Sequence, residues 1–284
     1  MNISPLPFYS NPKMQNHYKD YAFGQIYPLI TYKDSLLPFQ IIVPAATTTI
    51  SSPALVNHNT GDVISLNIST LISAGLEIKP YDMFAIIRYP AKVGLGIDLK
   101  EGQYYLRMRV VGVGVIYSDI FTVVNDVSDY LLLEYTNSYN LNIKGGIVDF
   151  SDGFTFRCYL NTQVGKPEYS FEEEATERMG YSFVESQVSK KIYKFTFLAP
   201  EYLCDALRIV RLCDTKTITS KLKTYDLTAF SMDPSWEEQG DLAAVECEFE
   251  TDTVIASIAN YASTSAVSGD FNNDYNNDYD IEKS

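Results

Sequence analysis

Two of the four cysteines lie in the clearest helical segment of the chain, and their spacing shows whether they can share a site. Cys204 and Cys213 are nine residues apart in "PEYLCDALRIVRLCD". Nine residues of α-helix turn by about 900° and rise by roughly 13 Å, so the two thiols point to opposite faces. One helix therefore cannot bring them to a shared metal ion or a disulfide bond.

The same segment has the pattern of a helix that packs on a sheet, near residues 200–212. Leu203, Leu207 and Val210 recur at i, i+4 and i+7 and form an apolar stripe. Asp205 and Arg208 are spaced as an i,i+3 ion pair. No cysteine of the chain has CxxC spacing, and all four are predicted to be reduced, partly buried thiols.

Other residues with catalytic or metal-binding chemistry form no recognisable set. The only histidines are His17 and His58, too few for a histidine-rich zinc site, and neither lies in a nucleophile-elbow context. The carboxylates of "DFSDGF" could bind calcium, but a turn before a strand accounts for Ser151-Asp152-Gly153 equally well. Nothing selects an acid–base pair among the 36 acidic residues. We therefore predict no enzyme activity, no catalytic residue, no metal and no cofactor.

Two further motifs resemble binding sites only in part. The glycines of Gly112–Gly114 lack the third glycine of a dinucleotide fingerprint and lie between two strands, which predicts a hairpin turn. The C-terminal "DFNNDYNNDYDIEKS" begins like an EF-hand loop but has Tyr275 and Ile281 where glycine and glutamate are required. Residues 259–284 are predicted to be an acidic, disordered tail.

Composition excludes some classes of partner. The net charge of the 284 residues is −14, whereas a nucleic-acid-binding protein is usually basic. No run of 18 apolar residues is present, and the N-terminus has no apolar stretch after a basic start. We expect no direct nucleic-acid binding, no membrane association and no export signal.

Strand-like patterns fill most of the chain and predict a mainly β protein. Residues 38–125 are predicted to form an immunoglobulin-like β-sandwich, and 130–258 a second, β-rich α+β domain with the one main helix. Residues 126–129 are predicted as the hinge between them. The segment "PEYSFEEEATERMGYSF" is predicted as an acidic loop or a short helix.

Residues 1–37 are predicted to form an extended arm that binds a neighbouring subunit. The segment holds four prolines and many aromatic residues without a clear period, so it needs a surface to cover it. Packing against its own domain is the alternative. The candidate contacts in this arm are Phe8, Tyr9, Tyr18, Tyr21, Phe23 and Tyr27.

Opposite charges are segregated in the second half of the chain. Residues 188–223 carry a net charge of +5, while 168–177 hold five glutamates and no basic residue. Such patches can meet head to tail between copies and close into a ring, or they can pair within the chain or face solvent. The candidate contacts are Glu172, Glu173, Glu174, Lys190, Lys191, Arg208 and Arg211.

The 22 tyrosines have two explanations that the sequence leaves open. Tyrosine favours strands, so the number fits a β-rich chain. It is also enriched at binding surfaces, where exposed rings stack on sugar faces. The second explanation would make the chain a carbohydrate- or receptor-binding module.

Three segments carry a resemblance to a known group of proteins. They are "GKPEYSFEEEATERMGYSF", "KKIYKFTFLAPEYLCDALRIVRLCD" and "DPSWEEQGDLAAVECEFETDTV". These segments resemble virion structural proteins of phages and prophages that infect Bacteroidetes, including tail components of crAss-like phages. The hairpin "EGQYYLRMRVVG…YSDIFTV" resembles the immunoglobulin-like modules found beside that domain. The resemblance covers about Ile97 to Ile258 and includes no diagnostic catalytic motif.

The resemblance implies a non-enzymatic subunit of a tail, baseplate or tail ring. Its expected partners are copies of itself in a ring and other virion proteins, and its expected place is the virion, assembled in the bacterial cytoplasm. The group defines no functional residues that could be transferred to this chain. The main alternative is the carbohydrate- or receptor-binding module.

Overall fold

The computed structural model describes residues 4–15, 29–91, 94, 96–97, 99–178, 181–221, 223–236 and 241–257. The chain divides into two compact units. One, here called the body, comprises residues 1–167 and 193–251, and the other, the hairpin unit, comprises 168–192 and 252–284.

Thirteen described strands and one α-helix lie between residues 8 and 148. In chain order they are β1 (Phe8–Tyr9), β2 (Ile30–Tyr32), β3 (Phe39–Pro44), β4 (Ile50–Asn57), β5 (Val63–Ser65), α1 (Ile68–Ser73), β6 (Glu77–Pro80), β7 (Phe84–Tyr89), β8 (Gly102–Val110), β9 (Gly114–Ser118), β10 (Phe121–Val124), β11 (Leu131–Thr136), β12 (Leu141–Ile143) and β13 (Gly146–Val148). Short 3-10 turns lie at Pro12–Met14 and Ser151–Gly153.

The second half contains the longest strands and the second helix. They are β14 (Phe156–Leu160), β15 (Glu168–Arg178), β16 (Tyr181–Ala199), α2 (Glu201–Leu207), β17 (Thr215–Ser220), β18 (Lys223–Asp226), β19 (Ala229–Trp236) and β20 (Ala243–Ser257). Helix α2 continues as a 3-10 turn through Arg208–Leu212. The mainly β fold with one main helix is thus confirmed.

Period-2 alternation explains which side of each strand enters the core. Tyr104, Leu106, Met108 and Val110 of β8 are all buried, as their spacing predicts. The same alternation buries Val245, Cys247 and Phe249 of β20 and Phe156 and Cys158 of β14. The stripe of Leu203, Leu207 and Val210 is also buried, which confirms that the helix packs on the core.

One sheet runs through most of the body. Its strand order is β1-β9-β8-β10-β2-β14-β11-β17-β18, and β4 and β5 join it beside β8. Strand β2 pairs in parallel with β10 and antiparallel with β14. The short β2 therefore links strands from the two halves of the chain.

A smaller sheet, β3-β7-β6, supplies a second layer beside this one. Phe39 and Ile87 of the smaller sheet belong to the same buried cluster as Leu55 and Leu106 of the larger sheet. This shared core is sandwich-like. A four-stranded sheet, β15-β16-β20-β19, and the β12-β13 ribbon complete the described strands.

The predicted division at residues 126–129 does not separate two sheets. The large sheet contains β8 and β10 from the predicted first domain and β11, β14 and β17 from the predicted second. The body likewise includes both ranges up to Pro167 and again from Tyr193 to Thr251. The reason is β2, whose backbone groups pair with β10 before the predicted boundary and with β14 after it.

The described parts of the N-terminal segment pack on their own chain, which was the alternative to a neighbouring subunit. Leu6, Leu29 and Ile30 are fully buried. Thr122 N donates to Leu29 O over 2.8 Å, and Asp119 N donates to Pro7 O over 2.9 Å. The segment contributes an inner strand of the sheet, so the prediction of an extended arm that binds a neighbouring subunit is wrong for these residues.

Two local predictions are also corrected. Within the range 38–125, which was predicted to be all β, β5 ends at Ser65 and the helix α1 follows, with the Asn67 side chain accepting from Ser69 N at its start. The segment 167–183 was expected to be a loop or helix. It forms the antiparallel pair β15 and β16, in which Glu168 lies opposite Ile192 and Arg178 opposite Tyr181.

The position of β2 generates a prediction about stability. Replacement of Ile30 by alanine removes a fully buried side chain from an inner strand and should lower the free energy of unfolding by about 3 kcal/mol. The matched control is Ile72→Ala on the exposed face of α1, where the change should stay within about 0.5 kcal/mol. Urea denaturation followed by circular dichroism measures both, and equal midpoints would show that β2 does not hold the sheet.

Candidate functional site

Among the described residues, a dense group of charged side chains lies between the smaller sheet and the turn at 149–153. Arg88 on β7 is buried, and its guanidinium reaches three carboxylates. Nε donates to Glu77, Nη2 donates to Asp152 Oδ2 over 2.5 Å, and Nη1 lies 3.4 Å from Asp149 Oδ2. Nη1 also donates to the backbone oxygen of Ser151 over 2.9 Å. We call Glu77, Lys79, Arg88, Asp149 and Asp152 the charged cluster.

Asp149 is the centre of this cluster and is fully buried. Its Oδ2 accepts a hydrogen bond from Tyr81 Oη over 3.0 Å and lies 3.3 Å from Lys79 Nζ. Gln40 bonds the Asp149 backbone in both directions. Burial raises the pKa of the Asp149 carboxyl, but hydrogen bonds from Ser151 and Tyr81 and the charge of Arg88 outweigh it and hold the pKa below its usual value.

These contacts favour the turn as the explanation of "DFSDGF". The carboxylates of Asp149 and Asp152 are paired with Lys79 and Arg88, so cations of the protein itself occupy the place that calcium would need. The turn also has a structural form, because Asp152 and Gly153 both have positive φ angles. An open cleft of about 380 Å³ lies beside Arg88, Glu77 and Phe154. The cluster joins the smaller sheet to the turn through these ion pairs.

The cysteines are buried thiols, as predicted. Burial raises the pKa of Cys204 to about 11 and that of Cys158 and Cys213 to about 12. Burial raises the pKa of Cys247 as well. All four are free thiols that remain protonated at neutral pH, so their nucleophilic reactivity is low.

The segregated charges of 168–177 and 188–192 meet within one hairpin. Lys190 Nζ lies 2.9 Å from Glu172 Oε1. Gln187 Nε2 donates to Glu173 Oε1 over 2.8 Å, and Ser186 Oγ lies 3.2 Å from Glu174 Oε2. Pairing within the chain was the alternative to a contact between copies, and the structure shows it for these side chains.

The hairpin nevertheless exposes unusual apolar area. Phe171 is 75% exposed and Tyr169 is 61% exposed, with Lys191 Nζ 5.9 Å from the Tyr169 ring centre. Val254 and Ile255, in the same unit, are also exposed. Nearly every described side chain of β15 is exposed, so both of its faces are open.

The remaining predicted contact residues are dispersed. Phe8 is half-buried with its ring 4.8 Å from that of Phe39, and burial raises the pKa of the half-buried Tyr9. Arg208 forms the predicted ion pair with Asp205, at 3.5 Å, and Arg211 is exposed. Four of the predicted contacts lie outside the described residues: Tyr18, Tyr21, Phe23 and Tyr27. The acidic tail 259–284 also lies outside them.

A second cleft, of about 300 Å³, lies on the solvent side of β11, β14 and β17. Arg157 and Glu134 lie opposite each other in its floor, with Nε and Oε1 3.8 Å apart. Four threonines line it: Thr136, Thr155, Thr215 and Thr217. The sequence had not singled out this face, because single threonines on alternate positions of three strands leave no contiguous motif.

Comparisons with protein-family models, with curated proteins and with solved structures each find no match. Within the described ranges, no three His, Cys, Asp or Glu side chains are grouped where they could hold a metal ion. None of the described helices is long and apolar enough to cross a membrane.

The charged cluster generates a stability prediction. Arg88→Leu leaves the buried Asp149 carboxylate without its guanidinium partner and should lower the free energy of unfolding by about 3 kcal/mol. The control Arg157→Leu removes a half-exposed pair and should cost less than about 1 kcal/mol. Urea denaturation compares the two, and a similar small loss in both would contradict a structural role for the cluster.

The depressed pKa values of Asp149 and Asp152 predict acid sensitivity. Hydrogen bonding to Arg88 lowers the pKa of Asp152, as the cluster lowers that of Asp149. Stability from both groups is therefore complete above the unfolded value of about 3.9 and is lost as the pH falls through the lower folded values. Between pH 7 and pH 2, the melting temperature of the parent chain should fall more steeply with decreasing pH than that of the Asp149→Asn variant. Parallel curves would exclude Asp149 as the cause.

Proposed function

We propose that the chain is a non-enzymatic structural subunit of a phage virion, in a tail, baseplate or tail ring. The observation that carries the proposal is the hairpin of β15 and β16. Its edge strand has both faces exposed, including the large rings of Tyr169 and Phe171. Apolar area of this kind marks a surface that another protein covers.

The internal pairing of charges supports an assembly element of this kind. The bonds of Glu172, Glu173 and Glu174 to β16 keep a long hairpin in register although it buries little apolar area. A hairpin that is held in shape before binding loses less entropy when its partner arrives. The resemblance of residues 165–183 and 190–214 to virion structural proteins agrees with this role.

The alternative is a carbohydrate- or receptor-binding module, and the cleft of Arg157 and Glu134 favours it. A guanidinium, a carboxylate and threonine hydroxyls are groups that bond sugar hydroxyls. The tyrosine that lines this cleft, Tyr135, is buried, and the exposed Tyr139 and Tyr169 of the described chain do not line it, so no exposed tyrosine ring there can stack on a sugar. A glycan array with Arg157→Leu as the control would detect such binding, and no binding would remove the alternative.

The virion role is tested on particles. Phage particles from a host that expresses the chain should contain it in a fixed ratio to other structural proteins after gradient purification, as measured by quantitative mass spectrometry. Cross-links from the chain should reach other virion proteins. Absence of the chain from purified particles would overturn the proposal.

A pair of substitutions separates assembly from stability. Tyr169→Ser/Phe171→Ser should leave the melting temperature within about 2 °C, because exposed side chains contribute little to the fold. Incorporation into particles should fall at least about tenfold, which corresponds to the loss of 1.4 kcal/mol or more at an interface. Tyr139→Ser, another exposed tyrosine, is the matched control and should assemble normally. Equal incorporation of the two variants would show that the hairpin is not the contact.

A further inference from the structure

The outer edge of β15 offers backbone groups that no second strand of the described residues pairs. β15 is the terminal strand of its sheet, and among the described residues only β16 pairs with it. A long exposed edge is a template for a further strand, because its outward N–H and C=O groups can continue the ladder.

The two faces of β15 differ in chemistry. Alternation places Glu168, Glu172 and Glu174 on one face, before the register shift that follows Glu174. Tyr169, Phe171 and Glu173 lie on the other face. A strand added to this edge would therefore meet three carboxylates on one side and, on the other, two exposed aromatic rings followed by the Glu173 carboxylate.

Charge excludes two occupants that the chain itself could supply. A second copy of β15 would set glutamates beside glutamates, and like charges on adjacent strands destabilise pairing. The tail 258–284 carries five acidic residues and one lysine, so it is repelled in the same way. The net charge of −14 for the whole chain adds to both effects.

We propose that the edge of β15 binds an extended segment of a partner protein in which lysine or arginine alternates with apolar residues. The basic side chains lie over Glu168, Glu172 and Glu174, and the apolar ones cover Tyr169 and Phe171. Main-chain hydrogen bonds supply affinity, and the alternating pattern supplies the register. This inference rests on the proposed assembly role and names the chemistry of the partner.

The test uses the full chain and an alternating lysine–valine heptapeptide. The peptide should slow hydrogen exchange of the amides in 168–178 and bind with an affinity measurable by fluorescence anisotropy. A peptide of the same charge with proline at the central valine should bind at least about tenfold more weakly, because proline cannot donate to the ladder. Equal affinity of the two peptides would show that they bind through general charge attraction and without strand pairing, which would overturn the proposal.

Matched variants locate the binding. Glu172→Gln/Glu174→Gln should weaken the lysine–valine peptide about tenfold through two lost cross-strand charge pairs. Asp226→Asn/Asp233→Asn removes the same charge from exposed positions on β18 and β19, the terminal strands at other sheet edges, and should not weaken it. Protection of a different segment, or equal weakening by both double variants, would contradict the site.

The result is separable from the proposed function. Particles that contain the chain, together with no peptide protection at β15, would contradict this inference alone. Peptide protection with no chain in particles would contradict the virion role and leave the edge as a binding site for another partner.

Discussion

The main-chain pairing of β2 is the constraint on which the body depends. Ile30–Tyr32 lies between β10 and β14 and pairs with both. The sheet is therefore continuous only when β2, which is distant in sequence from both neighbours, lies between them. Contacts between residues so distant in sequence close long loops, and such contacts slow folding in general. The described part of the N-terminal segment is thus accounted for by packing within one chain, with Leu6, Leu29 and Ile30 fully buried.

The charged cluster plays a similar role for the smaller sheet. Arg88 and Asp149 are buried and come from distant parts of the sequence. A buried ion pair adds little net stability over an apolar pair, but it penalises every arrangement that leaves one partner alone. Together with the two-way bond of Gln40 to Asp149, it sets where the turn at 149–153 lies against β3 and β7.

Local patterns predicted the strands and the helix, and long-range pairing accounts for what they missed. Alternation in β8 and β20 and the stripe of α2 depend on neighbours in sequence, so the residues alone identify them. The place of β2 depends on partners about ninety and about 130 residues away, which no local pattern encodes. For that reason the domain boundary that the sequence predicted at 126–129 separates strands of one continuous sheet.

The hairpin was missed for a different reason. Glutamate and alanine favour helices and are depleted in strands, so "EEEATER" looks helical or irregular. The charged side chains are tolerated in β15 because both of its faces are exposed, and because β16 supplies Lys190, Gln187 and Ser186 as partners.

The acidic edge also has a consequence for specificity. Carboxylates along an open edge disfavour pairing between copies of the same strand, which is one way in which proteins limit edge-to-edge aggregation. They leave the backbone groups accessible to a cationic segment. Apolar contact with Tyr169 and Phe171 then favours a strand whose apolar side chains lie on the same face of the sheet as these two rings. The glutamates of β15, which made the segment look helical or irregular, are therefore also the residues that restrict what can bind to this strand.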